Sequence, residues 1–379
     1  MLIIMTSPDA VLNGGKPDPE IARILIQAKS ANNPVGLISN HPEPAWFAGT
    51  FGTSGVQFLQ SRGRQSGDVV AENAKKFSLH PYDVLVLATK DEDVQMGKNG
   101  GAVLVAAGWS TDRVVTTLGI RVDNAKQLQE VIELTDGWSG QWWFSADHYH
   151  YKVRALADMS GYMVSNAQEL FGRKLTETVK NGGSRLNALL AVTARSLLAD
   201  GAIPHENLLW AVYPSSNSDN DDSEVLSDFT HRLRTTISRV QFAKREEPLF
   251  IRHKASSKRS KGRSDNRNDP TEQILTLHLN PFYKKRGRLK DKHVIVIDDC
   301  TTYGVSFGVA AAFLLKAGVA SVTGVALGKF GNQLCFHKID INSDPFTPVV
   351  MGGFTAAVSA DFTGKRNNVA QQVLRKLLQ

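Results

Sequence analysis

The stretch Val294-Ile-Val-Ile-Asp-Asp-Cys-Thr-Thr-Tyr-Gly-Val-Ser306 changes character abruptly in its middle. Its first four residues are all β-branched and predict a strand buried on both faces, as in a parallel sheet. Two adjacent carboxylates, Asp298 and Asp299, follow that strand, and an apolar helix is predicted from Gly304 to Lys316. The stretch therefore predicts a strand–loop–helix unit of an α/β fold.

The loop between this strand and this helix is rich in hydrogen-bond donors. Thr301, Thr302 and Ser306 carry hydroxyls, and Gly304 lets the backbone come close to a ligand. Backbone N–H groups at a helix N-terminus favour phosphate, whereas the paired acids repel it unless they face ribose hydroxyls or Mg²⁺. We interpret the loop as a ribose phosphate site. A capped helix after a core strand would explain the threonines and the glycine but not the two acids.

This stretch closely resembles the phosphoribosyl pyrophosphate (PRPP) signature of the type I phosphoribosyltransferases. The resemblance implies that Asp298 and Asp299 are the catalytic residues, which hold the ribose hydroxyls beside a Mg²⁺ ion that arrives with PRPP. It implies that the 5′-phosphate is bound by Thr301, Thr302, Tyr303, Gly304, Val305 and Ser306. The implied reaction transfers phosphoribosyl to an unknown small-molecule acceptor and releases pyrophosphate.

The same resemblance implies two further loops that bind pyrophosphate. One follows the predicted strand Leu208–Val212 and contains Ser215, Ser216 and Asn217. The other is a flexible basic loop at 252–267, which closes over the pyrophosphate and holds seven Lys and Arg residues against one Asp. Its candidate contacts are Arg252, Lys254, Lys258 and Arg259.

Positive charge is concentrated between residues 232 and 292, where eighteen Lys and Arg residues stand against six Asp and Glu. The whole chain carries a net charge of only +7. Such a segment attracts polyanions, either a small phosphate-rich ligand or nucleic acid. Two alternatives to phosphoribosyl transfer therefore stay open. One is a sensor that binds PRPP or a nucleotide without turnover, and the other is a nucleic-acid-associated binding protein in a stress or defence system.

The first 125 residues predict a separate unit in which short apolar strands alternate with helices. The strand end at Ser39-Asn40 and the run from Pro81 through Asp93 to Gly101 resemble motifs of the haloacid dehalogenase-like hydrolases. The resemblance places Ser7 where that family has its nucleophilic aspartate, and it assigns the rest of the site to Asp9, Ser39, Arg64 and Asp93. Phosphoaspartate chemistry needs a carboxylate nucleophile, so this domain is expected to be catalytically degenerate and without phosphatase activity.

These patterns predict an α/β protein with two Rossmann-like three-layer domains and mainly parallel sheets. The expected divisions are a hydrolase-like domain at 1–125, a connector at 126–157, a phosphoribosyltransferase domain at 158–340 and a C-terminal extension with an amphipathic helix at 341–379. Two cysteines provide no disulfide framework, and no apolar run reaches the length of a membrane span. We expect a cytoplasmic protein without a membrane partner. Because many relatives are dimers, the resemblance also allows a homodimer.

Overall fold

A computed structural model describes residues 1–138, 140–149, 151–160, 166–181, 186–201, 207–217, 225–237, 247–257, 267–359 and 364–378. The chain divides into two compact units. Unit one comprises residues 1–140, 184–205 and 232–239, and unit two comprises residues 141–183, 206–231 and 240–379. Among the described helices, none has the length and apolar character needed to cross a membrane.

The strands of both units are numbered together in chain order. They are β1 (Ile3–Thr6), β2 (Leu12–Asn13), β3 (Lys16–Pro17), β4 (Val35–Ser39), β5 (Gln57–Gln60), β6 (Val84–Ala88), β7 (Val103–Ala107), β8 (Arg121–Val122), β9 (Phe144–His148), β10 (Tyr151–Asp158), β11 (Leu208–Val212), β12 (Phe250–Arg252), β13 (Leu277–Leu279), β14 (His293–Thr301), β15 (Ser321–Lys329), β16 (Phe336–Ile341), β17 (Phe354–Ser359) and β18 (Lys365–Arg366).

The α-helices follow in the same order. They are α1 (Pro19–Ser30), α2 (Trp46–Phe51), α3 (Asp68–Lys76), α4 (Asp91–Gly100), α5 (Ala125–Gly137), α6 (Asn166–Asn181), α7 (Leu186–Ala199), α8 (Val225–Ile237), α9 (Thr271–Thr276), α10 (Val305–Lys316) and α11 (Asn368–Leu378). Asp18 caps the first of them, because its side chain accepts hydrogen bonds from the N–H groups of Glu20 and Ile21.

Unit one contains a six-stranded sheet in the order β5-β4-β1-β6-β7-β8. All five of its strand pairs are parallel. The central strands β6 and β7 are buried along their whole length, as expected for a sheet covered on both faces. The predicted parallel α/β character of the N-terminal part is confirmed.

Unit two contains a second six-stranded sheet in the order β11-β14-β15-β10-β9-β18. Its first four strands are parallel, whereas β9 and β18 join antiparallel at one edge. The apolar face of α10 packs into the core of this unit through residues such as Phe307 and Phe313, which are fully buried. The prediction of mainly parallel sheets is confirmed here as well.

The residues predicted as a connector, 126–157, contain α5, β9 and β10. Helix α5 belongs to unit one, and β9 and β10 complete the sheet of unit two. The charged residue Arg154 interrupts the apolar pattern of β10, which hid this strand in the sequence. Its side chain is buried, donates to the carbonyl of Ala146 and pairs with Asp147 at 2.8 Å. The boundaries of the two compact units therefore differ from those of the predicted domains. Helix α7 lies within the predicted domain 158–340 but belongs to unit one.

Three stretches of the chain differ from what their local sequence pattern indicates. The largely apolar stretch Ile274–Leu279 is the end of α9 followed by the short strand β13. Strand β14 does not stop at Ile297 but continues to Thr301, because it remains paired with β15 as far as Lys329. In the predicted C-terminal extension, 341–379, the strands β17 and β18 precede α11, which starts at Asn368.

Two glycines with left-handed backbone allow a test of how tightly the start of α10 is packed. A Cβ on Gly304 (φ +83°) would lie 2.6 Å from Leu334 Cδ1, whereas one on Gly331 (φ +69°) would meet no atom within 4 Å. We predict that Gly331→Ala lowers the free energy of unfolding by about 1 kcal/mol, from backbone strain alone. Gly304→Ala should cost roughly 1–3 kcal/mol more, because of overpacking.

Urea unfolding of the two full-length variants, followed by circular dichroism, measures this difference. Equal losses of unfolding free energy in the two variants would contradict the packing described for Gly304.

Candidate functional site

Three segments of unit two line one cavity of about 930 Å³. The first is the end of β14 with the loop that follows it, residues 298–306. The second is residues 213–217, after β11. The third consists of Arg252, Ser256, Ser257, Arg267 and Gln273. Since β11 and β14 are parallel neighbours, their carboxyl ends lie at the same edge of the sheet, and the structure thereby brings the two predicted ligand loops together.

The two predicted acids, Asp298 and Asp299, both line this cavity. The N–H of Asp299 donates to Asp298 Oδ1 at 2.9 Å, and the N–H of Cys300 donates to Asp299 Oδ1 at 2.5 Å. Burial, and then the negative charge of Asp299, raise the pKa of Asp298 well above its ordinary value, while a hydrogen bond from Ser306 acts in the opposite direction. The carboxyl pair is therefore costly to charge and strongly favours a ligand that donates hydrogen bonds or is positively charged.

All six residues predicted to bind the 5′-phosphate line the cavity. The N–H of Gly304 donates to Thr301 Oγ1 at 3.1 Å, which fixes the turn. Helix α10 begins at the next residue, Val305. The first N–H groups of a helix have no partner within it, so the cavity receives the electropositive end of a twelve-residue helix.

Ser215, Ser216 and Asn217, predicted to bind pyrophosphate, also line the cavity. Their loop is held by Arg252. Its Nε donates to the Ser215 carbonyl, and its Nη2 donates to the Pro214 carbonyl at 3.3 Å.

Arg252, predicted as a contact of the flexible basic loop, lies in regular structure. This residue ends strand β12 and is only 1% exposed. Besides the two carbonyls of the Ser215 loop, its guanidinium donates to Gln273 Oε1 at 2.9 Å and Thr276 Oγ1 at 2.8 Å. Arg252 therefore holds the Ser215 loop, and its predicted contact with pyrophosphate stays a prediction. Lys254 is exposed and does not line the cavity. Lys258 and Arg259 lie outside the described residues.

Two residues at or next to this cavity, the aromatic Phe330 and the cationic Lys329, were not predicted from the sequence. Phe330 lines the cavity and is 39% exposed. Lys329, at the end of β15, is fully buried, and its Nζ donates to the Thr302 carbonyl at 2.6 Å. Burial lowers the pKa of Lys329 to about 8, although the nearby Asp158 opposes this effect. A lone lysine that closes an otherwise apolar strand was the signal in the sequence.

Several residues of the basic segment 232–292 make contacts within the protein. Arg232 Nε donates to the Gly119 carbonyl at 2.8 Å, and Lys284 pairs with Asp344 at 2.5 Å. The Arg288 guanidinium lies 4.1 Å from the centre of the Phe282 ring. Part of the positive charge of this segment is therefore engaged in contacts within the protein. A nucleic-acid partner for the segment stays a prediction.

The residues of the predicted degenerate hydrolase site also converge, in unit one. Asp93 is completely buried and forms an ion pair with Arg64 Nη1. The same carboxylate accepts hydrogen bonds from the Ser7 hydroxyl at 2.9 Å, from both the N–H and the hydroxyl of Thr89, and from the N–H of Lys90. Ser7, Arg64 and Asp93 thus form one buried cluster.

Asp9 and Ser39, the other two predicted members of that site, lie beside the cluster without contacting Asp93. Asp9 pairs with Lys90 Nζ at 2.7 Å. Ser39 Oγ accepts from the N–H of His41 at 3.0 Å, and the carbonyl of Ile38, the residue before it, accepts from Arg64 at 3.2 Å.

A divalent metal ion does not fit the cluster around Asp93. The carboxylate is already engaged by the Arg64 cation and by four hydrogen-bond donors. The described part of the chain also contains no group of three or more His, Cys, Asp or Glu residues arranged to hold a metal. An internal ion pair therefore neutralises the acid that a metal would otherwise bind.

Comparisons with known proteins find weak structural likeness only. The sequence matches no protein-family model, and no curated protein matches it. The chain is similar to a cobalt-bound deoxy-D-mannose-octulosonate 8-phosphate phosphatase from Haemophilus influenzae, at 11% identity and a TM-score of 0.30, over 36% of this chain and 90% of that one.

Two further solved structures are similar over about the same share of the chain. A protein from Lactobacillus delbrueckii subsp. bulgaricus, assigned as a phosphoglycolate phosphatase, has 20% identity and a TM-score of 0.28, over 31% of this chain and 53% of that one. A protein from Streptomyces avermitilis, assigned to the HAD hydrolase family, has 13% identity and a TM-score of 0.25, over 30% of this chain and 70% of that one. At TM-scores this low, the likeness establishes neither family nor function.

The raised pKa of Asp298 predicts that this residue destabilises the unliganded protein at neutral pH. A carboxyl group whose pKa is higher in the folded chain contributes stability at pH values below its unfolded pKa, near 3.8, and loses it as the pH rises through the folded value. Asp298→Asn should therefore raise the melting temperature at pH 7 by about 2–4 °C, and the gain should shrink towards pH 4. Differential scanning calorimetry between pH 4 and pH 8 measures it, and a lower melting temperature at pH 7 would count against this account.

The buried pair in unit one predicts a large loss of stability when only its cation is removed. Arg64→Met leaves Asp93 charged and buried, and should lower the free energy of unfolding by about 3–5 kcal/mol. The matched control is Arg23→Met, which removes an exposed pair with Glu20 and should cost less than about 1 kcal/mol. Adding Asp93→Asn to Arg64→Met should recover part of the loss. Chemical unfolding of the full chain tests this, and similar losses for the Arg64 and Arg23 variants would refute it.

Proposed function

We propose that unit two binds PRPP and transfers its phosphoribosyl group to a small-molecule acceptor, with release of pyrophosphate. The observation that carries the proposal is the cavity, in which the Asp298–Asp299 pair, the hydroxyl-rich start of α10 and the Ser215–Asn217 loop face a common space. PRPP has three chemically different parts, namely a 5′-phosphate, a ribose diol and a pyrophosphate. Each of these parts has a complementary surface in this cavity.

The charges of the site divide these parts among its walls. Anions are favoured at the N-terminus of α10 and disfavoured beside Asp298 and Asp299. Carboxylates are good acceptors for hydroxyl groups, so the ribose diol belongs next to the acids and the 5′-phosphate belongs at residues 301–306. The pyrophosphate is then directed to the Ser215–Asn217 loop, near Arg267, which also lines the cavity.

Mg²⁺ fits this arrangement as an ion that arrives with the substrate. The cavity offers two carboxylates, and Mg²⁺ in proteins is commonly held by one or two carboxylates together with phosphate oxygens of the ligand. Asp298 and Asp299 are the residues that would hold it. When bound, the ion supplies charge neutralisation for the departing pyrophosphate.

The reaction we propose is a displacement at the anomeric carbon of the ribose. The bond from this carbon to the pyrophosphate oxygen breaks, and the pyrophosphate leaves with the electron pair. A nucleophilic atom of the acceptor donates its own lone pair to the anomeric carbon and so forms the new bond. Positive charge builds on the sugar in such a transition state, and the carboxylates of Asp298 and Asp299 stabilise it electrostatically. Hydroxyls and N–H groups of the Ser215–Asn217 loop donate to the leaving group.

For unit one we propose a binding or scaffolding role without phosphatase activity. The serine at position 7 lacks the carboxylate that phosphoaspartate chemistry requires. Its hydroxyl is occupied by donation to Asp93 at 2.9 Å. Release of phosphate from generic phosphomonoesters by the purified protein, abolished by Asp9→Asn, would overturn this part of the proposal.

The double variant Asp298→Asn with Asp299→Asn tests the proposed function of unit two. It should weaken the binding of PRPP with Mg²⁺ by at least about 100-fold, since a hydrogen bond to a charged group contributes roughly 1.5–3 kcal/mol. Isothermal titration calorimetry measures the affinity. Release of pyrophosphate from PRPP, assayed with a panel of acceptors, measures turnover in the same preparations.

A control with the same change in net charge is Asp291→Asn with Asp340→Asn, because both of these acids are exposed and neither lines the cavity. It should bind PRPP like the unsubstituted chain. Unchanged affinity in the Asp298/Asp299 variant would refute the proposed site. Tight binding with no pyrophosphate release for any acceptor would instead favour the sensor.

A further inference from the structure

Lys329 is a buried cation that the proposed reaction does not use directly. Its side chain is fully buried at the end of β15. Nζ donates to three backbone carbonyls, those of Thr302 at 2.6 Å, Gly331 at 3.0 Å and Gln333 at 2.6 Å. A lysine ammonium has three N–H donors, so these carbonyls take up its whole donor capacity.

The segment that begins with Lys329 also holds the carbonyls on either side of Thr302. The N–H of Phe330 donates to the Thr301 carbonyl at 2.9 Å, and the N–H of Cys335 donates to the Tyr303 carbonyl at 3.0 Å. Three consecutive carbonyls of the candidate phosphate loop are therefore held by residues 329–335. We call these residues the loop brace.

The geometry of the peptide bond relates the direction of the Thr302 carbonyl to that of the Tyr303 N–H. In a trans peptide the carbonyl and the following N–H point to opposite sides, and the described chain contains no cis peptide. Thr302 and Tyr303 line the cavity, whereas Lys329 does not. A carbonyl of Thr302 that points towards buried Lys329 directs the N–H of Tyr303 away from that lysine.

The cost of this arrangement indicates that Lys329 has a role beyond packing. A buried ammonium is expensive to desolvate, and an apolar residue of similar volume is often as stabilising or more so. Lys329 Nζ also lies 5.0 Å from the centre of the Phe144 ring, and the whole side chain is buried. A methionine cannot, however, donate a hydrogen bond to the Thr302 carbonyl.

We propose that Lys329 is a positioning residue that aims the Tyr303 N–H at the 5′-phosphate of the bound sugar phosphate. The proposal rests on the proposed function of the cavity. Without the ammonium, the peptide between Thr302 and Tyr303 is able to rotate, and the loop then presents one donor fewer to the anion. The loop brace thus tunes anion affinity from outside the cavity.

The test observes the Tyr303 amide directly. The full chain, labelled with ¹⁵N-tyrosine, contains seven tyrosines, and the signal that disappears in Tyr303→Phe belongs to Tyr303. Titration with PRPP and Mg²⁺ should shift this amide proton downfield. In Lys329→Met the shift should be reduced and the affinity should fall about tenfold. Lys316→Met, which removes an exposed lysine at the end of α10, should leave both unchanged.

The outcomes separate this inference from the function on which it rests. If the unsubstituted chain binds PRPP while the Tyr303 amide does not move, or if folded Lys329→Met binds and shifts like the parent, the positioning role is wrong and the proposed function stands. Failure of the unsubstituted chain to bind PRPP would remove the proposed function itself. Should Lys329→Met fail to fold, the Tyr303 shift in the unsubstituted chain still decides whether that N–H faces the phosphate.

Discussion

The repulsion between two adjacent carboxylates at the end of a buried strand constrains the whole of the candidate site. Asp298 and Asp299 line a cavity whose other walls favour anions. Because burial and mutual repulsion raise the pKa of Asp298, the pair destabilises the protein until a suitable ligand occupies the space between it and the helix. The proposed ligand, a sugar that carries hydroxyls at one side and phosphates at the other, would satisfy both requirements.

The architecture of unit two supplies the remaining conditions. Parallel pairing of β11 with β14 brings their loops to one edge of the sheet, and buried cations hold the carbonyls of both loops. Arg252 holds the loop after β11, and Lys329 holds the loop after β14. Each cation neutralises part of the dipoles of the carbonyls that it holds. In unit one, by contrast, the buried cation Arg64 forms an ion pair directly with the acid, Asp93.

The sequence predicts the parts of this structure whose pattern is local. The apolar strand before Asp298, the helix after Gly304 and the loop at Ser215 follow from short-range composition, and all three lie where the sequence predicts them. The prediction fails where tertiary contacts override local signals. Arg252 belongs to a basic run in the sequence but is buried by partners up to 38 residues away. The residues next to Lys329 in the sequence do not indicate that its ammonium contacts the carbonyl of Thr302.

A crystal structure of the full chain, grown with PRPP and Mg²⁺, would show where the sugar phosphate binds. The 5′-phosphate should lie within hydrogen-bond distance of N–H groups between Thr301 and Ser306, with the ribose hydroxyls on Asp298 and Asp299. Pyrophosphate should contact Ser215 and its neighbours. Electron density for PRPP elsewhere on the protein, or a cavity that contains only water at millimolar PRPP, would rule out this cavity as the PRPP site.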